Sequence, residues 1–259
     1  MAKHRKTKRR QSRTVSAADS NPLNQGAGSA EASKRNVFLD TLRGFAIVLM
    51  VVDHVAGLLM DIRIQDSYLR LGTRLAMPLF CVLMGYFFSA ESRSKYGRLL
   101  EVVVAAVMVN LVFYPHYHSI EILGCLVMAA LLFKATGPFF VGFAVLLFAY
   151  PWDPLVTWFD FPPTIVISFV AQGMILRRFG IATAIASGLV LSSGAVWIHD
   201  LQPAGVNHKL CLFILPATLL VDLGSRFPAL RIPGLDRIGQ YPLTAYVVQY
   251  YVIMLISQM

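Results

Sequence analysis

Charge is scarce in this sequence. Asp, Glu, Lys and Arg make up 14% of the 259 residues, against about 25% in an ordinary soluble domain. Hydrophobic residues fill 56% of the chain, and the mean hydropathy is +0.61. This balance excludes a soluble globular domain, a disordered chain and a fibre, and leaves a polytopic membrane protein. Cysteine is scarce as well. Cys81, Cys125 and Cys211 each sit in an apolar run, which is neither a disulfide framework nor a zinc site. His116-x-His118 has no Cys or carboxylate at a supporting spacing, so no metal is expected. The chain has no Walker A loop, GxGxxG, HExxH or GxSxG motif. No apolar core follows the basic start, so the start does not read as a secretory signal.

What charge there is lies unevenly. Residues 1–36 carry nine Lys/Arg against two Asp/Glu, and the remainder fourteen against twelve. The cluster from Lys3 to Arg13 and the Ser/Ala/Asn/Gly stretch after it have too few apolar residues to order themselves. Residues 1–36 therefore read as a basic, disordered cytoplasmic tail that touches anionic lipid; nucleic acid is not an expected partner. Residues 37–259 read as one all-α membrane domain. A spanning helix needs about 20 mostly apolar residues. Nine segments are placed: 38–60, 69–89, 98–114, 120–134, 138–151, 163–177, 180–198, 209–224 and 239–257. The fourth to sixth are short, and the alternatives for the fifth and sixth are a tilted, a re-entrant or a buried helix. Breaks fall at Tyr114-Pro115, Thr136-Gly137-Pro138, Pro151–Pro154, Pro162-Pro163 and Gln202–Gly205. With the N-terminus inside, eighteen Lys/Arg face the cytoplasm and four face out. That bias predicts an outer C-terminus and an odd number of spans. Trp152, Trp158, Phe159 and Phe161 would form an interfacial belt in an outer loop.

The first segment concentrates the polar groups. Asp40, Arg43, Asp53 and His54 are set in an apolar helix, and charge at membrane depth points to function. Eleven residues separate Arg43 from His54. They share a helix face, about 16 Å apart along the axis. Asp40 lies one turn from Arg43 and can pair with it. Asp53 neighbours His54 and points elsewhere, so the two form no local dyad. In the second segment Arg70 and Arg74 share a face, and Arg74 falls at the depth of His54. Asn110 and Glu121 fall at that depth too. Glu101, Gln172, Asp222, Thr244, Tyr246 and Gln249 read mostly as interhelical hydrogen-bond partners. The loop Ser92–Arg98 is basic. A simpler reading stands beside this one: an Asp–Arg anchor, an interfacial His, a snorkelling Arg74 and a positive-inside loop.

Arg43, ten residues, then His54 resembles the Arg/Lys-x10-His motif that opens acyltransferase-3 membrane enzymes. Leu39-Asp40-Thr41-Leu42-Arg43-Gly44 is similar to the same opening in heparan-glucosaminide acetyltransferase relatives. Met50–Val55, Leu71–Phe80 and Lys95–Leu99 resemble the TraX family, whose members look like pilin N-acetylating membrane proteins. Ile238–Gln249 resembles the last helix of the acetyltransferase relatives. Most of the resemblance lies in the first 100 residues. Acyltransferase-3 cores typically have ten helices, so ten is the alternative count to nine.

The resemblance implies a multi-pass acyltransferase of the bacterial inner membrane, an O- or N-acetyltransferase. Acetyl-CoA would be the donor, and a glycan, a lipid-linked group or a protein the acceptor. His54 would be the general base; histidine, whose unperturbed pKa is about 6.5, can serve near neutral pH. Arg74 would orient the acceptor or stabilise charge. Arg43, Lys95 and Arg98 would meet the phosphates of the donor. Two other classes suit the same residues. One is a transporter, which lacks support from any visible inverted repeat. The other is a non-catalytic TraX-like assembly partner. A reporter fused after Met259 should be active only outside the cytoplasm; cytoplasmic activity there would mean an even number of spans.

Overall fold

The computed structural model describes residues 36–60, 68–90, 96–149, 158–198 and 208–257. The basic tail expected at 1–36 lies outside them except for Asn36, as does Lys95. Eleven α-helices account for most of the described chain: α1 Val37–His54, α2 Tyr68–Thr73, α3 Ala76–Ala90, α4 Tyr96–Tyr117, α5 Ile122–Thr136, α6 Phe140–Ala149, α7 Pro163–Phe179, α8 Ile181–Ile198, α9 Ile214–Arg226, α10 Leu235–Gln240 and α11 Pro242–Ser257. Among the described residues the only extended pairing is a single bridge between Ile120 and Phe159.

Helix occupies all nine expected segments where they are described, with boundaries that differ for physical reasons. The first segment ends its regular α-helix at His54 and continues as a π turn over Val55–Leu59. The second breaks between Thr73 and Ala76, where Arg74 N bonds Leu71 O and Leu75 N bonds Gly72 O, both at 3.2 Å. The ninth breaks at Tyr241, between α10 and α11. The break expected at Tyr114-Pro115 is absent. Pro115 sits in the last turns of α4, where its missing N–H costs one bond. The turn comes at His118 instead, which adopts a left-handed φ of 51°. Gly137 ends α5 with φ 56°, a conformation its lack of a Cβ permits, and Pro138 restarts the chain.

The centre is α7. It starts after Pro162-Pro163, ends at Gly180, and is buried on every face from Pro163 to Leu176. A helix apolar all round belongs inside a bundle. It meets α3 so closely that a Cβ at Gly85 would strike the carbonyl of Val170, and one at Gly173 the carbonyl of Val82. Small residues permit this approach, and dispersion and packing hold it. Gly44 and Gly239 do the same between α1 and α10. Gln172, fully buried on α7, donates to Ala184 O and to Thr218 Oγ1 and accepts from Ser187 Oγ at 2.7 Å. It joins α7, α8 and α9 as an interhelical hydrogen-bond partner. The start of α1 is tied to α9: Asn36 caps Leu39 N at 3.0 Å and donates to Gly224 O at 2.9 Å.

Among the described residues, three helical stretches are long and apolar enough to cross a membrane: Tyr68–Phe88, Leu99–Tyr117 and Ile122–Ala149. The last contains the break at Gly137. Ile181–Ala195 and Pro242–Ser257 are apolar but shorter. The surface agrees with a lipid surround. Leu111, Leu146, Val190 and Leu255 are each more than 60% exposed, on four different helices.

These contacts predict opposite behaviour for two glycines. Gly173→Leu should lower the thermal midpoint in detergent sharply, because backbone would have to move. Gly142→Ala points its methyl into open space and should leave the midpoint unchanged or raise it. Equal effects would contradict the α3–α7 contact.

Candidate functional site

The sequence feature that builds this site is the apolar first helix ending in Asp53-His54. The π turn that follows widens the backbone at a place where such turns often mark function. Gly57 lies within it. A Cβ there would come within 2.7 Å of the Arg70 guanidinium carbon, so the absent side chain is the slot that holds Arg70.

Asp53, 8% exposed, turns away from His54 as expected, toward the α2–α3 break. Thr73 Oγ1 donates to its Oδ1 at 2.8 Å, and Arg70 Nε lies 3.4 Å from the same atom. Arg74 Nη2 lies 3.7 Å from Oδ2. The shared face expected for Arg70 and Arg74 is therefore the face that meets Asp53. Arg74 is turned inward, with its side chain 18% exposed, and does not snorkel.

His54 faces α11. Its ring packs on Tyr250 with centroids 4.8 Å apart, and Tyr250 Oη lies 3.4 Å from His54 Nε2. Tyr250 Oη also lies 3.3 Å from Glu121 Oε1, to which Tyr246 Oη donates as well. Glu121 is 1% exposed. It caps α5, accepting from Leu123 N at 2.8 Å through Oε2, where helix-end N–H groups favour negative charge. Asn110 Oδ1 accepts Glu121 N at 2.9 Å. Ile120 is pinned by bonds to Trp158 O and from Asp160 N. Depth alone placed Asn110 and Glu121 near His54, and the structure brings all three to one junction. Phe113 closes on Tyr250 edge to face, with centroids 6.0 Å apart.

Arg43 is elsewhere. Its Nη1 donates to Asp40 Oδ1 at 2.9 Å, and its guanidinium lies 4.0 Å over the Phe87 ring. On neighbouring Tyr86, Arg177 Nη1 donates to the hydroxyl at 2.8 Å. Arg43 thus belongs to an aromatic and basic cluster three turns of α1 from His54. Arg98 falls in the first turn of α4.

Two results escaped the sequence reading. Tyr250 was not singled out, although Tyr246 and Tyr250 are spaced i, i+4 in an apolar helix, which puts two hydroxyls on one face. Gln249 is not the interhelical partner expected: it is 7% exposed and both its amide atoms lack a hydrogen bond. Among the described residues, the buried side-chain polar atoms without a partner are those two, His54 Nδ1 and Arg74 Nε. They lie on α1, at the α2–α3 break and on α11.

The model of the TraX protein family matches residues 38–230. The chain belongs to the TraX family. No curated protein and no solved structure matches it significantly. Within the TraX match lie Asp53, His54, Arg70, Arg74 and Glu121, whereas Tyr246, Gln249 and Tyr250 lie beyond its end.

Asp53 is the counter-charge for two inward arginines. Asp53→Ala should destabilise the protein by about 3 kcal/mol, the usual cost of stranding a buried partner, read as a fall in the thermal midpoint. Arg70→Met in the same background should recover part of that loss. A midpoint unchanged by Asp53→Ala would show the cluster to be solvated.

Proposed function

We propose that this TraX-family chain is an integral membrane acyltransferase of the bacterial inner membrane, with a cytoplasmic N-terminus and about nine spans. It takes acetyl from cytoplasmic acetyl-CoA and passes it to a hydroxyl or amine of a glycan, lipid-linked or protein acceptor. One observation carries the reading. The described buried polar atoms left without partners are confined to His54, Arg74 and Gln249. Buried polar groups are normally satisfied, and an unpartnered His54 Nδ1 and Arg74 Nε beside Asp53 leave an acceptor and a donor for a ligand to complete.

The chemistry follows from those groups. His54 accepts the proton of the acceptor hydroxyl or amine as its oxygen or nitrogen bonds the acetyl carbon and the carbon–sulfur bond breaks. The same proton then passes from His54 to the departing thiolate. Arg74 Nε has a free donor for the carbonyl oxygen where negative charge develops, while Asp53 holds the guanidinium in place. At the other end of α1, Arg43 over Phe87 supports phosphate and ring recognition of the donor; Lys95 and Arg98 are assigned to the donor by the resemblance alone.

Transfer of labelled acetyl from acetyl-CoA, measured in membranes holding the chain, tests the reading. Wild type should form product. His54→Ala should insert and fold normally and lose about 10²–10⁴-fold in rate. Arg43→Lys keeps charge without the planar fork and should show a partial defect at low donor concentration. Wild-type transfer by His54→Ala would sink the mechanism, and no product from wild type would leave the transporter or assembly readings.

A further inference from the structure

Glu121 has no place in the reaction as described, yet it is the most completely enclosed carboxyl in the neighbourhood of His54. Its three hydrogen bonds, from Tyr246 Oη, Tyr250 Oη and Leu123 N, are all bonds that a carboxylate accepts. Tyr250 has one hydrogen, which Glu121 Oε1 at 3.3 Å and His54 Nε2 at 3.4 Å can each accept; the Tyr246 hydroxyl is also within its reach, with its own hydrogen on Glu121. A charged acceptor takes a hydroxyl hydrogen in preference to a neutral ring nitrogen. The Tyr250 oxygen is then left to accept from His54, which requires the hydrogen of the imidazole on Nε2. The other nitrogen agrees. Nδ1 is buried and has no partner, and a buried N–H without an acceptor is costlier and rarer than a bare lone pair.

We infer that Glu121 is held as a carboxylate by its three donors and that it and Tyr250 are positioning residues that fix His54 as the Nε2–H tautomer, so that Nδ1 is the nitrogen that takes the acceptor's proton. This rests on the acyltransferase reading for its chemistry, but the tautomer itself does not. When Nδ1 takes the proton, His54 becomes an imidazolium whose Nε2–H still points at Tyr250. The Tyr250 hydrogen stays directed at Glu121. The carboxylate therefore steadies the positive ring through one intervening hydroxyl, and no proton travels along the chain. The arrangement does the work of the acid in a Ser-His-Asp triad, which holds the imidazole tautomer and stabilises its charged form. Three elements set its geometry: the end of α1, the Glu121 cap of α5 and the Tyr246/Tyr250 face of α11.

The test is nitrogen NMR of protein labelled with 15N-histidine, with the His54 signals identified by their loss in His54→Ala. Wild type should show a protonated Nε2 and a bare Nδ1. Tyr250→Phe keeps the ring against His54 and removes the hydroxyl, and should give a mixture of tautomers. Glu121→Gln should do the same if it folds. In the transfer assay Tyr250→Phe should lower kcat by about 10–100-fold, the worth of one hydrogen bond to a charged group, with little change in KM. Glu121→Asp should retain more activity than Glu121→Gln. A wild-type spectrum with hydrogen on Nδ1, or one that Tyr250→Phe leaves unchanged, would overturn the inference even in an active enzyme. An inactive wild type that shows the expected tautomer and its loss in Tyr250→Phe would overturn the acyltransferase reading and leave the positioning role standing.

Discussion

A carboxyl 1% exposed inside an apolar helical bundle must be met by donors or it cannot stay charged. Glu121 is that group, and the architecture around His54 can be understood as the set of elements that supply it. The N-terminus of α5 gives a backbone N–H. Two hydroxyls on α11 converge on one carboxylate oxygen. Asn110 of α4 and the Trp158–Asp160 segment hold the adjoining backbone. The same rule operates one residue before His54, where Asp53 is met by Thr73, Arg70 and Arg74. His54 stands between these two arrangements, touching the first through Tyr250 and joined covalently to the second.

Packing makes the convergence possible. Gly85 and Gly173 let α3 and α7 touch backbone to backbone, and Gly44 and Gly239 let α10 press on α1. These contacts are made by residues with nothing to offer chemically. They are spread along the chain, whereas around His54 the polar groups gather at helix ends and breaks, facing the Tyr246/Tyr250 side of α11. The π turn after His54, the break around Arg74 and the cap at Glu121 are the irregular places in otherwise regular helices. Side chains can converge there because the backbone changes direction.

The helical class and the position of the apolar segments were legible because apolar runs of that length have few other solutions, whereas the breaks that divide the second and the ninth were not. The Asp40–Arg43 pair and the common face of Arg70 and Arg74 were legible because helical spacing fixes i, i+3 and i, i+4 neighbours. Depth along antiparallel segments was enough to group Glu121 and Asn110 with His54. What was not legible depended on which helices touch. Nothing in the spacing of Tyr246 and Tyr250 says that they face Glu121, 125 and 129 residues away. The continuation of α4 through Pro115 was missed because a proline in a last turn costs little. The isolation of Gln249 was missed because polar residues in such helices usually find partners.

If the buried carboxylate organises this region, Glu121 and Tyr246 must be energetically one unit. The direct measurement is a double-mutant cycle on thermal midpoints in detergent, with Glu121→Gln, Tyr246→Phe and the double variant. Residues sharing a buried hydrogen-bond network couple by about 0.5–3 kcal/mol. The account predicts that the double variant is little less stable than the worse single variant. Effects that simply add would mean that the two side chains are stabilised independently, and would contradict the account.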